Sequence, residues 1–226
     1  RTKDNGKYNT AGNTGKKKCA AFNWLKGVTA VLCAVVMYFA VTIGVRGYDM
    51  YKDAIAQVSL EDKINEIRSK KSYTLFSDLP ETYTDAVLSV EDRRFYGHIG
   101  IDPIAITRAM VNDVKAGRFV EGGSTITQQL AKQLYSDVAQ STMERALQKP
   151  IEWVIAVKLE RYYTKEEIIT MYLNYFDFLH NAVGIKTASR TYFNKEPQNL
   201  SVCEAATLIG MCKNPSYFNP VRKRLP

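Results

Sequence analysis

Histidine, tryptophan and cysteine are scarce in this chain, with two, two and four copies among 226 residues. So few histidines exclude a His-rich metal centre. Cys19, Cys33, Cys203 and Cys212 form no closely spaced pairs and no Cys–His pattern, which excludes a zinc or dithiol motif and a disulfide framework. Cys203 and Cys212 fall in one helical stretch, about 13 Å apart at ~1.5 Å per residue, too far to bridge; they read as core thiols. Alternating strand patterns are scarce and no internal repeat is present. Acidic residues are nearly missing from the N-terminal segment, where Arg1, Lys3, Lys7, Lys16, Lys17, Lys18 and Lys26 face only Asp4. That segment holds much of the net charge of +8. No groove-reading motif accompanies the charge, so nucleic acid is not the expected partner.

What is present begins with an apolar run. Residues Gly27 to Val45 carry no charge, close to the ~20 residues that cross a bilayer core. No cleavage-site pattern and no polar face interrupt the run, so it reads as a retained transmembrane anchor spanning 27–46. The basic cluster before it places the N-terminus in the cytoplasm and the remaining chain outside. Residues 1–26 are expected to be a disordered basic tail. Residues 47–72 mix charges with apolar positions at helical spacing, which predicts a stalk helix. The stretch 73–226 is then one mainly α domain. Thr164 to Glu167 and Ser201 to Glu204 are capping boxes ahead of apolar runs. Ser124 is a candidate N-cap for a helix through Tyr135, and Pro103 suits the first turn of another reaching about Lys115.

Two blocks carry chemistry. In SVEDRRFYGHIGID, residues 89–102, Glu91 follows an apolar stretch and precedes Phe95 and His98. A carboxylate at a helix end among apolar neighbours suits general acid or base work; a salt bridge to Arg93 or Arg94 suits the block equally well. In EGGSTITQQLAKQLY, residues 121–135, Gly122 and Gly123 permit a tight turn. The helix start that follows, with the Ser124 and Thr125 hydroxyls, makes an anion site. Gln128 and Lys132 fall one turn apart, and a Lys there neutralises phosphate as a point charge. Read alone, this block also fits an ordinary polar helix face.

Together the blocks resemble the first two signature motifs of the family 51 glycosyltransferases, the peptidoglycan polymerases: E-D-x-x-F-x-x-H-x-G, then G-G-S-T-I-T-Q-Q-L and a Lys. The chain supplies Glu91, Asp92, Phe95, His98 and Gly100, then Gly122 to Leu130, then Lys132. The third motif, R-K-x-x-E, corresponds to Gln148, Lys149 and Glu152, and the Y-L-N helix to Tyr172, Leu173 and Asn174. A further stretch matches Ser189 to Lys195 and Leu200 to Ala206, so the resemblance covers roughly 73–220. There are departures. Gln148 stands where the family has Arg, and a neighbouring basic position is displaced to Arg145. Pro150 should kink its helix or mark its start. Leu179 and Asn181 replace glycines, so that loop should adopt a different backbone. Asn194 replaces a glycine and tolerates a left-handed conformation.

The resemblance implies a lysozyme-like, mainly α glycosyltransferase domain with a small membrane-proximal lobe near residues 101–121, including Ile101, Ile104, Met110, Val111, Phe119 and Val120. It implies inverting polymerisation of lipid II on an undecaprenyl-pyrophosphate donor, giving β-1,4-linked glycan strands at the outer face of the bacterial cytoplasmic membrane. Glu91 would be the base on the acceptor hydroxyl. Glu152 would assist departure of the leaving group, through a divalent cation (Mg or Mn) or by organising cations; no organic cofactor is implied. Asp92, Phe95, His98, Ser124, Thr125, Gln128, Gln129, Lys132, Arg145, Lys149 and Asn174 would bind substrate and pyrophosphate. Expected partners are lipid II, the lipid-linked growing strand, the membrane and other cell-wall synthesis proteins. With no Ser-x-x-Lys penicillin-binding sequence present, the chain reads as the single-function form or a piece of a longer protein. Two rivals remain. A hydrolase or lytic transglycosylase has no need of the anion block, and a silent scaffold would explain Gln148, Leu179 and Asn181.

Overall fold

The computed structural model describes residues 11–118, 120, 122–136 and 142–221. The expectations for residues 1–10 and for Phe119 lie outside these. The chain divides into two units, Arg1–Val45 and Arg46–Pro226. Helix α1 (Ala11–Gln57) supplies the described part of the first. Its stretch Lys26–Gln57 is long and apolar enough to cross a membrane, with a mean hydropathy of 2.4 in its most apolar window.

The second unit is mainly helical; its described residues hold one isolated bridge, Asp177 to Val183. Helices α2 (Leu60–Ser69), α3 (Glu81–Glu91), α4 (Pro103–Ala116), α5 (Ile126–Tyr135), α6 (Thr142–Tyr162), α7 (Lys165–Tyr175), α8 (Ile185–Phe193) and α9 (Val202–Lys213) follow in order. Helix α7 is the central rod, buried from Ile168 to Asn174. Against it pack Leu130, Ala131 and Leu134 of α5, Ile155 and Leu159 of α6, and Ile64 and Ile67 of α2. Burying a side chain of this kind contributes about 1.5–3 kcal/mol, so this apolar cluster is what fixes α5 and α6 side by side.

Local signals explain most boundaries. Thr164 and Ser201 close capping boxes with Glu167 and Glu204, as their spacing predicts. Pro103 opens α4, with the Asp102 carboxylate accepting from the Ile104 and Ala105 amides. The residues expected to form one stalk helix over 47–72 do not. Ser59 caps a new helix by accepting from the Asp62 amide, and α2 drives Ile64 and Ile67 into the core. The end of α1 also belongs to this unit: Met50, Tyr51 and Ala54 pack on the core. The Tyr135 hydroxyl donates to the Val58 carbonyl at 2.9 Å. A Cβ on Gly47 would lie 2.6 Å from the Pro150 Cβ and 2.7 Å from its carbonyl oxygen, so only glycine lets the two backbones meet.

Pro150 neither starts nor ends a helix; it lies inside α6. Tight packing outweighs its missing donor. The loop after α7 also differs from expectation. Leu179, His180 and Asn181 keep the left-handed backbone that glycine favours, at φ 66°, 51° and 62°, instead of a rebuilt one. Asp177 accepts from the Leu179 amide at 2.8 Å, and the Tyr192 hydroxyl donates to the Phe178 carbonyl at 2.5 Å; these bonds offset the strain. Asn194 is left-handed as expected, at φ 52°.

Candidate active site

Glu91 is the last residue of α3, and Asp92 turns the chain out of the helix. That turn is held from behind. The Asp92 carboxylate accepts from the His98 ring Nε2 at 2.9 Å and from the Ile126 amide at 3.0 Å. The other ring nitrogen accepts from the Gly100 amide at 3.1 Å. In this arrangement the ring bridges the Asp92 carboxylate and the Gly100 amide. Gly100, at φ 96°, approaches the Ala156 carbonyl so closely that a Cβ would meet it at 2.7 Å. The Thr125 hydroxyl donates to the Gly100 carbonyl at 2.6 Å, which ties the first conserved-looking block to the second. Phe95 is 1% exposed and stacks edge-on against His98, with the Lys165 ammonium over the Phe95 ring at 4.5 Å from its centre. Phe95 and His98 thus hold Glu91 and Asp92 in place from the core.

Helix α5 begins one residue later than the sequence suggests. Thr125, not Ser124, is its N-cap, and Gln128 completes a capping box with it. The reason is chemical: a Gln three residues after Thr closes a reciprocal pair that Ser124 has no partner to make. Gln128 is 1% exposed and its side-chain oxygen accepts from the Thr125 amide at 2.9 Å. Thr125 and Gln128 are thereby committed to the helix start. Ser124 is freed to accept from Lys149 Nζ at 3.1 Å. Asn174 bridges to Thr74, accepting from its amide at 2.7 Å and donating to its carbonyl at 2.9 Å. It pins the segment before α3 to α7 and is a scaffold residue. The side chain of Arg145 lies outside the described residues.

What remains comes together in two adjoining cavities. The larger, about 630 Å³, is lined by Glu91, Ser124, Gln129, Lys132, Lys149 and Glu152, with Lys213 from the end of α9. The smaller, about 310 Å³, is lined by Glu91, Asp92, Arg94, Arg108, the Gly122–Gly123 backbone and Lys213. Glu91 and Lys213 are common to both. In the larger, three lysines outnumber two carboxylates, a balance suited to an anionic ligand. Lys149 also donates to Glu152 Oε2 at 2.5 Å. Glu152 is 1% exposed and its Oε1 is buried without a partner. Glu91 accepts from the Gln129 amide nitrogen through Oε2 at 2.8 Å, and its Oε1 is likewise buried and unpartnered. A carboxylate with one oxygen held and the other unspent can take a proton from a hydroxyl placed beside it.

Sequence reasoning missed Lys213 and Arg108 as cavity residues. Nothing local marks them: Lys213 is a helix-end cation and Arg108 a charge on a helix face. The stretch expected to form a smaller lobe centres on α4. Helix α4 buries Ala109 and leaves Ile104, Met110, Val111 and Val114 exposed, while Val120 beyond it is exposed too; Ile101 is half-buried.

Curated relatives share this core. The chain is 44% identical over 146 residues to penicillin-binding protein 1F of Bacillus subtilis, covering 64% of this chain and 20% of that protein. It is 43% identical over 152 residues to penicillin-binding protein 1A of Aquifex aeolicus, covering 67% and 20%. It is 40% identical over 183 residues to penicillin-binding protein 1B of Vibrio cholerae, covering 76% and 23%. The chain therefore spans about a fifth of the length of these relatives. Residues 60–225, which contain the helix ends and both cavities described above, match the model of the transglycosylase family, and the chain belongs to that family.

Proposed function

We propose that the two cavities form the donor and acceptor sites of a peptidoglycan glycosyltransferase, which polymerises lipid II by inverting transfer from an undecaprenyl-pyrophosphate donor. The observation that carries this reading is Glu91, which stands between the cavities with one carboxylate oxygen held and the other unpartnered. The acceptor sugar occupies the smaller cavity and its 4-hydroxyl gives a proton to Glu91. The oxygen attacks the anomeric carbon of the donor from the face opposite the phosphate. The carbon–oxygen bond to pyrophosphate breaks, and the lipid pyrophosphate leaves with the electron pair. Lys132 and Lys149 meet the developing charge, where preorganised cations act most strongly. Glu152 orients Lys149. Its spare oxygen also fits a single carboxylate contact to a Mg²⁺ ion carried on the pyrophosphate, since Mg²⁺ usually takes one or two carboxylates plus phosphate and water.

The anchor helix confines enzyme and lipid-linked substrates to one surface and raises their effective concentration. In this reading the exposed apolar face of α4 rests in the membrane interface, with the domain outside the cell and the N-terminus inside. One observation favours a weaker, scaffold-like protein: Gln148, where the family carries Arg, has a buried side-chain oxygen without a partner.

The test is incubation of detergent-solubilised protein with labelled lipid II, with products resolved on a gel. We expect a ladder of strands from the native protein and none from Glu91→Gln, with precursor binding retained within a few-fold, because the base acts in the transition state. Turnover by Glu91→Gln would remove Glu91 as base. Bound precursor with no ladder from the native protein would favour the scaffold.

A further inference from the structure

Behind Glu91 a line of side chains runs into the core and ends on groups that the mechanism leaves unused. The Gln129 amide nitrogen donates to Glu91 Oε2 at 2.8 Å, and its oxygen accepts from the Tyr172 hydroxyl at 3.1 Å. Tyr172 is 0% exposed. Cys212, from α9, is buried in the same core cluster. Burial raises both the tyrosine and the cysteine well above their ordinary values, and the Glu91 carboxylate pushes the same way. Both groups therefore keep their protons. The hydroxyl has one proton and spends it on Gln129. With its oxygen so occupied, the amide must present nitrogen to Glu91; turned over, it would set oxygen against a carboxylate.

We propose that Tyr172 is a positioning residue for the base: its buried hydroxyl fixes the Gln129 amide, and the amide holds Glu91 Oε2 so that Oε1 takes the proton. This rests on the reading of Glu91 as the base. It reassigns Gln129 from substrate contact to support of the carboxylate. Hydrogen bonds that point the same way along a chain reinforce each other in a low-dielectric site, and a general base loses rate when its geometry loosens. Other charged groups line the cavities with Glu91: Asp92, Arg93, Arg94 and Asp102 from the segment after α3, Arg108 from α4, Lys132 from α5, Lys149 and Glu152 from α6, and Lys213 from α9. None of these is altered by changing Tyr172, so a change in pH dependence reports on the line itself.

The experiment compares Tyr172→Phe, Gln129→Ala and the double variant in the full-length protein, measuring lipid II polymerisation across pH together with melting temperature. Phenylalanine keeps the ring in the core and removes only the hydroxyl. We expect Tyr172→Phe to lower kcat on the order of tenfold, with KM within about twofold. The acidic limb of its rate profile should move to higher pH, because the carboxylate has lost a fixed donor. In the Gln129→Ala background the same substitution should change kcat by less than about twofold, since the hydroxyl then has nothing to act through. An unchanged rate and pH profile in Tyr172→Phe overturns the proposal. So does an equal loss in both backgrounds, which would make Tyr172 a packing residue. Turnover by Glu91→Gln overturns the reading of the base and the proposal with it, whereas failure of the line alone leaves Glu91→Gln inactive.

Discussion

Lys149 has two jobs that a substitution would separate. It donates to Ser124 at the edge of the larger cavity and to Glu152, which is buried and, among the described residues, has no other partner. Removing one partner of a buried pair leaves an uncompensated charge. Because Lys149 is about a third exposed, we expect Lys149→Met to cost about 2–3 kcal/mol in denaturant unfolding, at the low end for such pairs. Adding Glu152→Gln should return most of that stability while polymerisation stays lost. Glu204 offers a pH-dependent case. Lys195 and the Ser201 cap hold its carboxyl down at about 2, from an ordinary 4.5. A depressed carboxyl stabilises the fold above its unfolded value and ceases to do so as pH falls through the folded one. Acid titration should therefore weaken the native protein between about 4.5 and 2, and Glu204→Gln should flatten that part of the profile, as read by circular dichroism. At this scale the sequence identified the residue types but not their tasks. Glu91, Lys132, Lys149 and Glu152 do gather at one cleft. His98, Phe95 and Asn174 stand behind it as supports, and Gln128 both lines it and closes the α5 cap, because a motif records which residues are needed and not whether each touches ligand or scaffold. The Thr125–Gln128 pair could have been recognised as a capping box from its spacing alone.

Helices α5 and α6 carry most of the cleft, and the tail of α1 packs against α6 at Pro150. Gly47 against Pro150 is the closest point of that contact. Gly47→Ala would push a methyl into the turn that bears Lys149. Overpacking of this kind costs about 1–3 kcal/mol, so we expect a lower unfolding midpoint together with reduced polymerisation, both larger than for Gly27→Ala, whose Cβ meets nothing within 4 Å. The element boundaries set by side-chain caps were legible: α4, α7 and α9 start where Asp102–Pro103, Thr164 and Ser201 say they should. The break after Gln57 was legible in principle, since Ser59 and Asp62 have N-cap spacing, but the charge pattern on either side is continuous and masks it. The left-handed run from Leu179 to Asn181 was not legible. Side chains in that region cost on the order of 1–2 kcal/mol each; the local bond from the Leu179 amide to Asp177 and the tertiary one from Tyr192 to the Phe178 carbonyl keep them there.

On the scale of the molecule, mainly helical architecture, a single N-terminal apolar helix and one catalytic-type cleft followed directly from composition and motif order. The stretch that carries its exposed apolar face was singled out only by the family resemblance, because periodicity alone does not say which helix lacks a partner. Helix α4 leaves Met110 and Val114 at 63% and 81% exposed, an apolar patch that soluble surfaces rarely present. If this face meets the bilayer, changing both residues to Glu should weaken binding of residues 46–226 to phospholipid vesicles on the order of tenfold or more, with an unchanged circular dichroism spectrum. Equal binding by the variant would place the contact elsewhere.

The meeting of Gly47 with Pro150 also bears on how the enzyme is prepared for study. The family match opens at residue 60, and trimming there to obtain a detergent-free sample would discard Met50, Tyr51 and Ala54 from the core and strip the cover from Pro150. The resulting protein would carry every motif residue and yet expose apolar surface beside its own lysine–glutamate pair, inviting aggregation and a misleadingly inactive assay. A cut just before Arg46 removes the apolar run and keeps the brace.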